Sequence, residues 1–141
     1  MTYATQQNLI DRFGEDELIQ LTDRASRGDI DATVISRALG DADATINGYL
    51  AARYTLPLEA PLPEILERLA CDIARYALFD DQVTEIVEKR YKDAIALLRD
   101  VSAGRAELGL SDTDNKPASK STAQIYSTTP VWRRSESDGF L

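Results

Sequence analysis

The sequence predicts an all-α protein, a small bundle of about five helices with an extended C-terminal tail. Apolar residues recur at helical spacing through most of the first 103 residues, and capping residues, glycines and prolines divide this part into helix-sized pieces. A chain of 141 residues is about the size of one domain. We predict a helical body over residues 1–110 and a polar linker with a docking tail over 111–141.

The first two predicted helices are short. Thr5 can cap a helix that runs to Phe13, and Gly14 stops it. The second helix opens directly after this glycine with three acidic residues, which complement the helix dipole. It is expected to end between Thr22 and Ala25.

The third predicted helix runs from about Ala32 to Arg53, with Asp29 or Asp31 as its cap. The prolines that follow favour extended backbone before a fourth helix opens near Pro63. One apolar arc of the third helix is expected to face the core, and it consists of Val34, Ile35, Ala38, Leu39, Ala42, Ile46, Tyr49 and Leu50.

The fourth and fifth helices are longer. The fourth is expected to stop around Phe79 or Asp80, and the fifth to run from about Asp81 to Ala103. The predicted apolar arc of the fourth is Leu62, Ile65, Leu66, Leu69, Ile73 and Ala77. The seam of the fifth is Val83, Val87, Tyr91, Ala94, Leu98 and Val101, with Ile86, Ile95 and Leu97 beside it.

Small residues form a second feature of the third helix. Gly40, Ala44 and Ala51 lie opposite its apolar arc, with Gly48 beside them. Glycine inside a helix costs about 1 kcal/mol relative to alanine, so two glycines on an outward face call for a reason. Close approach by another helix, from this subunit or a neighbour, is one reading, and a neutral exposed strip or a bend is the other.

The fourth helix is expected to carry a similar outward strip of Cys71, Ala74 and Leu78, which suits apolar contact with a neighbouring subunit. Arg53, at the end of the third helix, is expected either to bond within the subunit or to contact a neighbour. These residues and the small strip of the third helix make up the hypothetical subunit interface.

Composition argues against an enzyme. The chain has no histidine and one cysteine, so the usual general base, nucleophile pairs and zinc ligands are missing, and no glycine-rich phosphate motif occurs. We therefore expect no catalytic residue, cofactor or metal. No apolar run reaches the roughly 20 residues of a membrane span, and the N-terminus lacks a secretory pattern, which favours a reducing cytoplasm.

The net charge of −8 lies entirely within residues 1–103, which hold 11 basic and 19 acidic side chains. An acidic body does not suit phosphate-backbone binding, which needs clustered lysine and arginine. Such a body would suit a surface past which DNA slides, although ordinary solubility explains the charge as well.

The tail combines a polar spacer with apolar anchors. Residues 111–129 are rich in Ser, Thr, Asp, Asn, Lys and Pro and alone would be a linker. Large apolar and basic side chains then return, and the candidate docking residues are Val131, Trp132, Arg133, Arg134, Phe140 and Leu141. Protein docking is favoured over nucleic-acid binding, because two arginines provide few positive charges for contacts with phosphates.

Two ordered sets of residues resemble those of the Mu-like phage and prophage head–tail connector family, also called head-completion proteins or neck adaptors. The central set is Ala42, Ile46, Tyr49, Leu50, Arg53, Tyr54, Leu56, Pro57 and Leu58 at fixed spacing. The opening set is Tyr3, Phe13-Gly14, Glu17-Leu18, Leu21-Thr22 and Gly28-x-Ile30-Asp31. The resemblance covers residues 3–110, and Val131-Trp132-Arg133-Arg134 with Gly139-Phe140 fits more loosely.

The resemblance implies a structural subunit of the virion neck, assembled in the host cytoplasm. Such connectors form a homo-oligomeric ring, often of twelve, beneath the portal protein and offer a platform for a downstream neck or tail-completion protein. DNA would pass through the lumen without specific binding. The alternative is an acidic, soluble phage regulatory or inhibitory protein, of the DNA-mimic type, that binds a basic partner.

Overall fold

The structure is a computed structural model and describes residues 1–110. These residues form five α-helices, which confirms the predicted all-α bundle; no β-strand occurs among them. The helices are α1 (Gln6–Phe13), α2 (Glu15–Thr22), α3 (Ala32–Leu50), α4 (Glu64–Phe79) and α5 (Glu85–Ser102). The predicted linker and docking tail, including Val131, Trp132, Arg133, Arg134, Phe140 and Leu141, lie outside the described residues.

Side-chain caps start three of the helices. Thr5 and Asn8 cap α1 reciprocally, each side chain accepting from the other's backbone N–H. Asp31 begins α3 by accepting from the N–H of Thr33 at 2.9 Å, which confirms its predicted capping role. Thr84 begins α5 in the same way, and its hydroxyl accepts from the N–H of Val87 at 3.4 Å.

Two predicted helix ends were wrong. The fifth helix begins at Glu85 rather than near Asp81, because Asp80 has a positive φ of 51° and Thr84 is extended. The third ends at Leu50 rather than at Arg53. Beyond it, successive backbone N–H groups donate to the same Leu50 carbonyl, at 2.9 and 2.8 Å, so the chain tightens into a turn.

The central helix of the bundle is α4. Its most extensive packing is with α3, α5 packs against both, and α1 and α2 cover a further side. Tyr54 and Leu58 are buried beside the proline-containing turn and close the end of the core. The largest side chains with almost no exposure include Leu9, Leu18, Ile35, Ile46, Leu50, Leu66, Leu69 and Leu98.

Arg75 joins α2 to α4. Its guanidinium donates two hydrogen bonds to the carboxylate of Glu17, at 2.6 and 3.0 Å, and lies 4.2 Å from the ring centre of Phe13. The two charged side chains are mostly shielded from water, at 15% and 25% exposure. A shielded bidentate pair with an aromatic contact orients the short helices on the bundle more firmly than an exposed pair would.

Thr22 joins the end of α2 to the start of α3. Its buried hydroxyl donates to the Leu18 carbonyl at 2.7 Å and accepts from the Asp31 N–H at 3.0 Å. The second bond spans nine residues of sequence, so it holds the loop between the two helices in place.

We predict that Thr22→Val lowers the free energy of unfolding by about 1–2 kcal/mol. Valine preserves the shape of the side chain but leaves the Asp31 N–H without its acceptor. The measurement is urea unfolding monitored by circular dichroism, with an unchanged slope and a lower midpoint.

Thr45→Val is the matched control. The Thr45 hydroxyl donates only to the carbonyl one turn earlier, at Asp41, and lies in an exposed region. Its loss should cost about 0.5 kcal/mol or less. Equal effects of the two substitutions would show that the bond across the loop adds no stability.

Candidate functional surface

The candidate surface is the outer face of α3, formed by Gly40, Ala44 and Gly48 and continued by Ala51, the residue directly after the helix. All four residues are exposed, as the helical spacing predicted. The opposite side of the same helix carries the buried residues that pack on α4 and α5. The outer face is therefore a smooth strip that the subunit's own core does not use.

No neighbouring group requires glycine on this face. A Cβ placed at Gly40 or Gly48 would meet no other atom within 4 Å, and both residues have ordinary helical backbone. Alanine would therefore fit either position and favour the helix by about 1 kcal/mol. Nothing within the described subunit offsets that cost.

The N-terminal segment is anchored along the edge of the outer face. The backbone N–H of Tyr3 donates to Asp43 at 3.0 Å, and its hydroxyl donates to the side-chain oxygen of Asn47 at 2.6 Å. Burial raises the pKa of the Asp43 carboxyl, and the Tyr3 N–H partly offsets that rise. Burial, with the nearby Asp43 charge, also raises the pKa of Tyr3.

Sequence reasoning missed this anchor. Tyr3 lies 40 residues from Asp43 and 44 from Asn47, so no local pattern signals the contact. The only hint was that Asp43 and Asn47 are four residues apart and therefore share one side of a helix.

A groove of about 370 Å³ lies between this N-terminal segment and α3. Thr2 and Ala4 form one wall, Ile35 and Leu39 contribute to the other, and Gly40 is shared with the outer face. The exposed strip and the groove are therefore continuous, which widens the surface available to a partner.

The expected outward strip of α4 was wrong. Cys71, Ala74 and Leu78 are buried, at 0%, 0% and 6% exposure, whereas Ala77, expected in the core, is exposed. Helices pack on several sides of α4. Its buried arc is therefore wider than that of a helix covered on only one face. These three residues therefore belong to the subunit's own core.

Arg53 is used within the subunit. Its guanidinium donates to the Val101 carbonyl in the last turn of α5, at 3.5 Å, and it stacks loosely near the Tyr54 ring at 6.0 Å. Gly104 lies close by with a φ of 81°, and a Cβ there would come within 3.2 Å of the guanidinium. The internal alternative for Arg53 is the one that these contacts support.

Residues 1–110 contain neither a metal-binding cluster nor a membrane-spanning helix. This part of the chain contains no group of three or more Cys, Asp or Glu residues arranged to hold a metal ion. None of its five helices is long and apolar enough to cross a membrane.

The sequence matches the family model described as "Bacteriophage Mu, Gp36" over residues 3–127. The chain belongs to this phage family. Two relatives match nearly end to end: the Mu-like prophage FluMu protein gp36 of Haemophilus influenzae is 38% identical over 139 residues, covering 99% of this chain and 98% of the relative. "Gene product J" of Escherichia phage Mu is 36% identical over 143 residues, covering both chains completely.

Membership of the Gp36 family confirms the predicted relation to Mu-like phage proteins. The match to the family extends beyond the described body into the predicted linker. The outer face of α3 is thus a surface of a Gp36-family phage protein.

We predict that the thiol of Cys71 reacts very slowly in the folded protein. Burial raises its pKa to about 11, with Arg12 opposing the rise and Glu67 adding to it. Relative to a thiol of pKa 9.0, the thiolate is about 100-fold scarcer at pH 8, and burial slows attack further. The measurement compares its reaction with a disulfide reagent in native buffer and in guanidinium chloride.

Ser36→Cys supplies the matched control, since position 36 is exposed on α3. The added thiol should react at nearly the same rate in both buffers. A native Cys71 that reacts as fast as the unfolded one would place this residue on an accessible face after all.

Proposed function

We propose that this Gp36-family protein is a head–tail connector subunit of the phage neck. It would form a homo-oligomeric ring beneath the portal, extend the DNA channel and provide a platform for neck or tail proteins. The family relation supports a role in a phage, and the outer face of α3 carries the proposal of a ring. No residue is assigned a catalytic role.

The outer face carries two glycines that lower the folding stability of the subunit. Two helix glycines with open space around them lower the stability of the subunit by about 1 kcal/mol each. Small residues allow the backbone of a neighbouring helix to approach closely, and that contact would offset the cost. A contact between this face and a different face of the next copy is heterologous, and repeated rotation closes such contacts into a ring.

The net negative charge of the body supports the proposal that the ring extends the DNA channel. The described body holds 12 basic and 20 acidic side chains, so it accounts for the whole net charge of −8. A lumen lined by acidic side chains would repel the phosphate backbone, and DNA would slide through without adhering.

The same charge also favours a rival, an acidic regulatory protein that binds a basic partner in place of DNA. The two functions differ in mass and partner. A connector gains mass in steps when mixed with portal, whereas a DNA mimic stays a monomer or dimer and binds a basic protein. Light scattering with purified portal separates them.

Gly40→Leu and Ala44→Trp are predicted to block assembly on the portal. Each places a large side chain on the outer face, where a close helix contact has no room for it. Helical circular dichroism should stay nearly unchanged, because the space around both positions is open within the subunit. Assembly is measured by light scattering or electron microscopy.

Gly40→Ala is the control at the same position. It should raise the free energy of unfolding by about 1 kcal/mol, since the methyl group meets nothing. Normal assembly of the Leu and Trp variants would remove this face from the interface. Unfolding of both would mean instead that the face packs inside the subunit.

The free protein is predicted to show no duplex DNA binding at physiological salt. Non-specific DNA-binding proteins reach dissociation constants of roughly 10⁻⁴ to 10⁻⁶ M through phosphate contacts, which an excess of acidic side chains opposes. Fluorescence anisotropy with labelled duplex provides the measurement. Salt-sensitive binding in the micromolar range would contradict the idea of a repelling lumen.

A further inference from the structure

A second groove, on α4, is lined by arginines and is distinct from the outer face of α3. We call it the arginine groove. It measures about 440 Å³ and lies where α1, α4 and α5 meet. Its basic side chains are Arg12, Arg68 and Arg90, and its apolar floor includes Phe13, Leu69 and Ala94.

The arginine groove opens away from α3. Arg68 and Asp72 line it and are one helical turn apart on α4. Ala70 and Ala74, two residues further along in each case, point roughly 200° away and are fully buried. The groove is therefore separate from the outer face of α3, since none of its lining residues belongs to α3.

Two of the three arginines form no direct ion pair within the described residues. Arg12 pairs with Glu67 at 3.0 Å, but neither Arg68 nor Arg90 forms an ion pair within 4.0 Å anywhere in residues 1–110. Asp72 also lines the groove; burial raises the pKa of its carboxyl, and the surrounding arginines oppose that rise. The lining holds three arginines and two aspartates, Asp72 and Asp93, so the groove is less acidic than the body as a whole.

An exposed apolar residue extends the groove along α5. Ile86 lies four residues before Arg90 and seven before Asp93, so all three share one side of the helix. Ile86 is 64% exposed, and Met1 is the one other exposed large apolar side chain found in residues 1–110. An exposed apolar side chain beside arginines that form no ion pair is typical of a protein-docking site.

The C-terminal part of the chain has the complementary chemistry. Residues 135–141 contain Glu136 and Asp138 without a basic residue, and Phe140 and Leu141 follow. A carboxylate can accept two parallel hydrogen bonds from one guanidinium group. Large apolar side chains can pack against the apolar floor of the groove and against Ile86. Duplex DNA suits the groove less well, since a long polyanion would also lie along the acidic body around the groove.

Length allows the contact between copies. Residues 111–129 could span up to about 60 Å if extended, which exceeds the width of a small helical bundle. A segment that leaves one body after residue 110 can therefore reach the arginine groove of the next.

We propose that the arginine groove receives residues 135–141 of a neighbouring copy, with Glu136 and Asp138 on Arg68 and Arg90. The choice of a neighbouring copy rests on the proposed ring, in which copies lie side by side. Each subunit would then contact its neighbours through two separate surfaces, the outer face of α3 and the arginine groove.

Disulfide trapping in the full-length chain tests the contact. Asp93→Cys places a thiol on the groove, and Ser137→Cys places one between the two tail carboxylates. Under mild oxidation this double variant should give covalent dimers and a ladder of larger species on a non-reducing gel. Cys71 is buried and does not interfere. Arg27→Cys with Ser137→Cys is the control, because Arg27 is exposed and lies outside the groove.

Charge reversal tests the pairing. Adding Arg68→Glu and Arg90→Glu to the trapping pair should lower the yield about ten-fold or more, and adding Glu136→Arg and Asp138→Arg as well should restore it. When chains that carry only Asp93→Cys are mixed with chains that carry only Ser137→Cys, the products should be only dimers that contain one chain of each kind.

Three results would overturn the proposal. A faster-migrating monomer with an internal disulfide would show that the groove holds its own chain's tail. A yield equal to that of the Arg27→Cys control would show no docking at all. Suppression of the ladder by duplex DNA, with DNA bound to the groove, would show that the groove takes phosphate instead.

The outcome is separable from that of the proposed function. No ladder, in a protein that still assembles on the portal, would remove the arginine-groove contact and leave the connector role. A ladder in a protein that never associates with the portal would support the contact and remove the connector role.

Discussion

The small buried side chains of α4 determine how the other helices are arranged. Ala70, Cys71 and Ala74 are fully buried at the centre of the bundle, where α4 meets all four remaining helices. Helix axes approach to about 8–10 Å, depending on the side chains between them, so small residues allow the closer spacing. A larger residue at any of these positions would force α3 or the short helices outward.

The two candidate surfaces follow from that arrangement. Because α3 packs against α4 with one side, its outer face of small residues remains exposed. Because α1 and α5 flank α4 without closing over it, the arginine groove stays open between them. A subunit with two different surfaces can form the heterologous contacts that a head-to-tail ring requires.

The basic side chains of this acidic protein are used in different ways. Arg75 is committed to a shielded pair with Glu17, and Arg53 to the last turn of α5. Lys89 and Lys92 form exposed pairs with acids one turn away, which contribute little to stability. Arg68 and Arg90 form no such pair in the described body, as is also true of Arg24, Arg27, Arg37 and Arg99, and these two line the arginine groove together with Arg12.

The sequence by itself determined the helices, several of their caps and the outward direction of the small strip on α3. These features depend on contacts within a few residues, such as Asp31 with Thr33, or on the 3.6-residue period that places Gly40 and Ala44 opposite the core. The family relation was also readable, because it depends on the order of residues along the chain. The predicted helix boundaries near Asp80 and Arg53 were less accurate, because the local backbone geometry places the observed boundaries elsewhere.

Only the tertiary structure decided which faces of α4 are covered and which basic residues remain unpaired. Periodicity shows that a helix has an apolar side, but not how many neighbours surround it, so Cys71, Ala74 and Leu78 were placed outside when they are inside. The anchor of Tyr3 on Asp43 and the arginine groove join residues 40 or more positions apart. Such contacts arise from the packing of whole helices, and no local pattern encodes them.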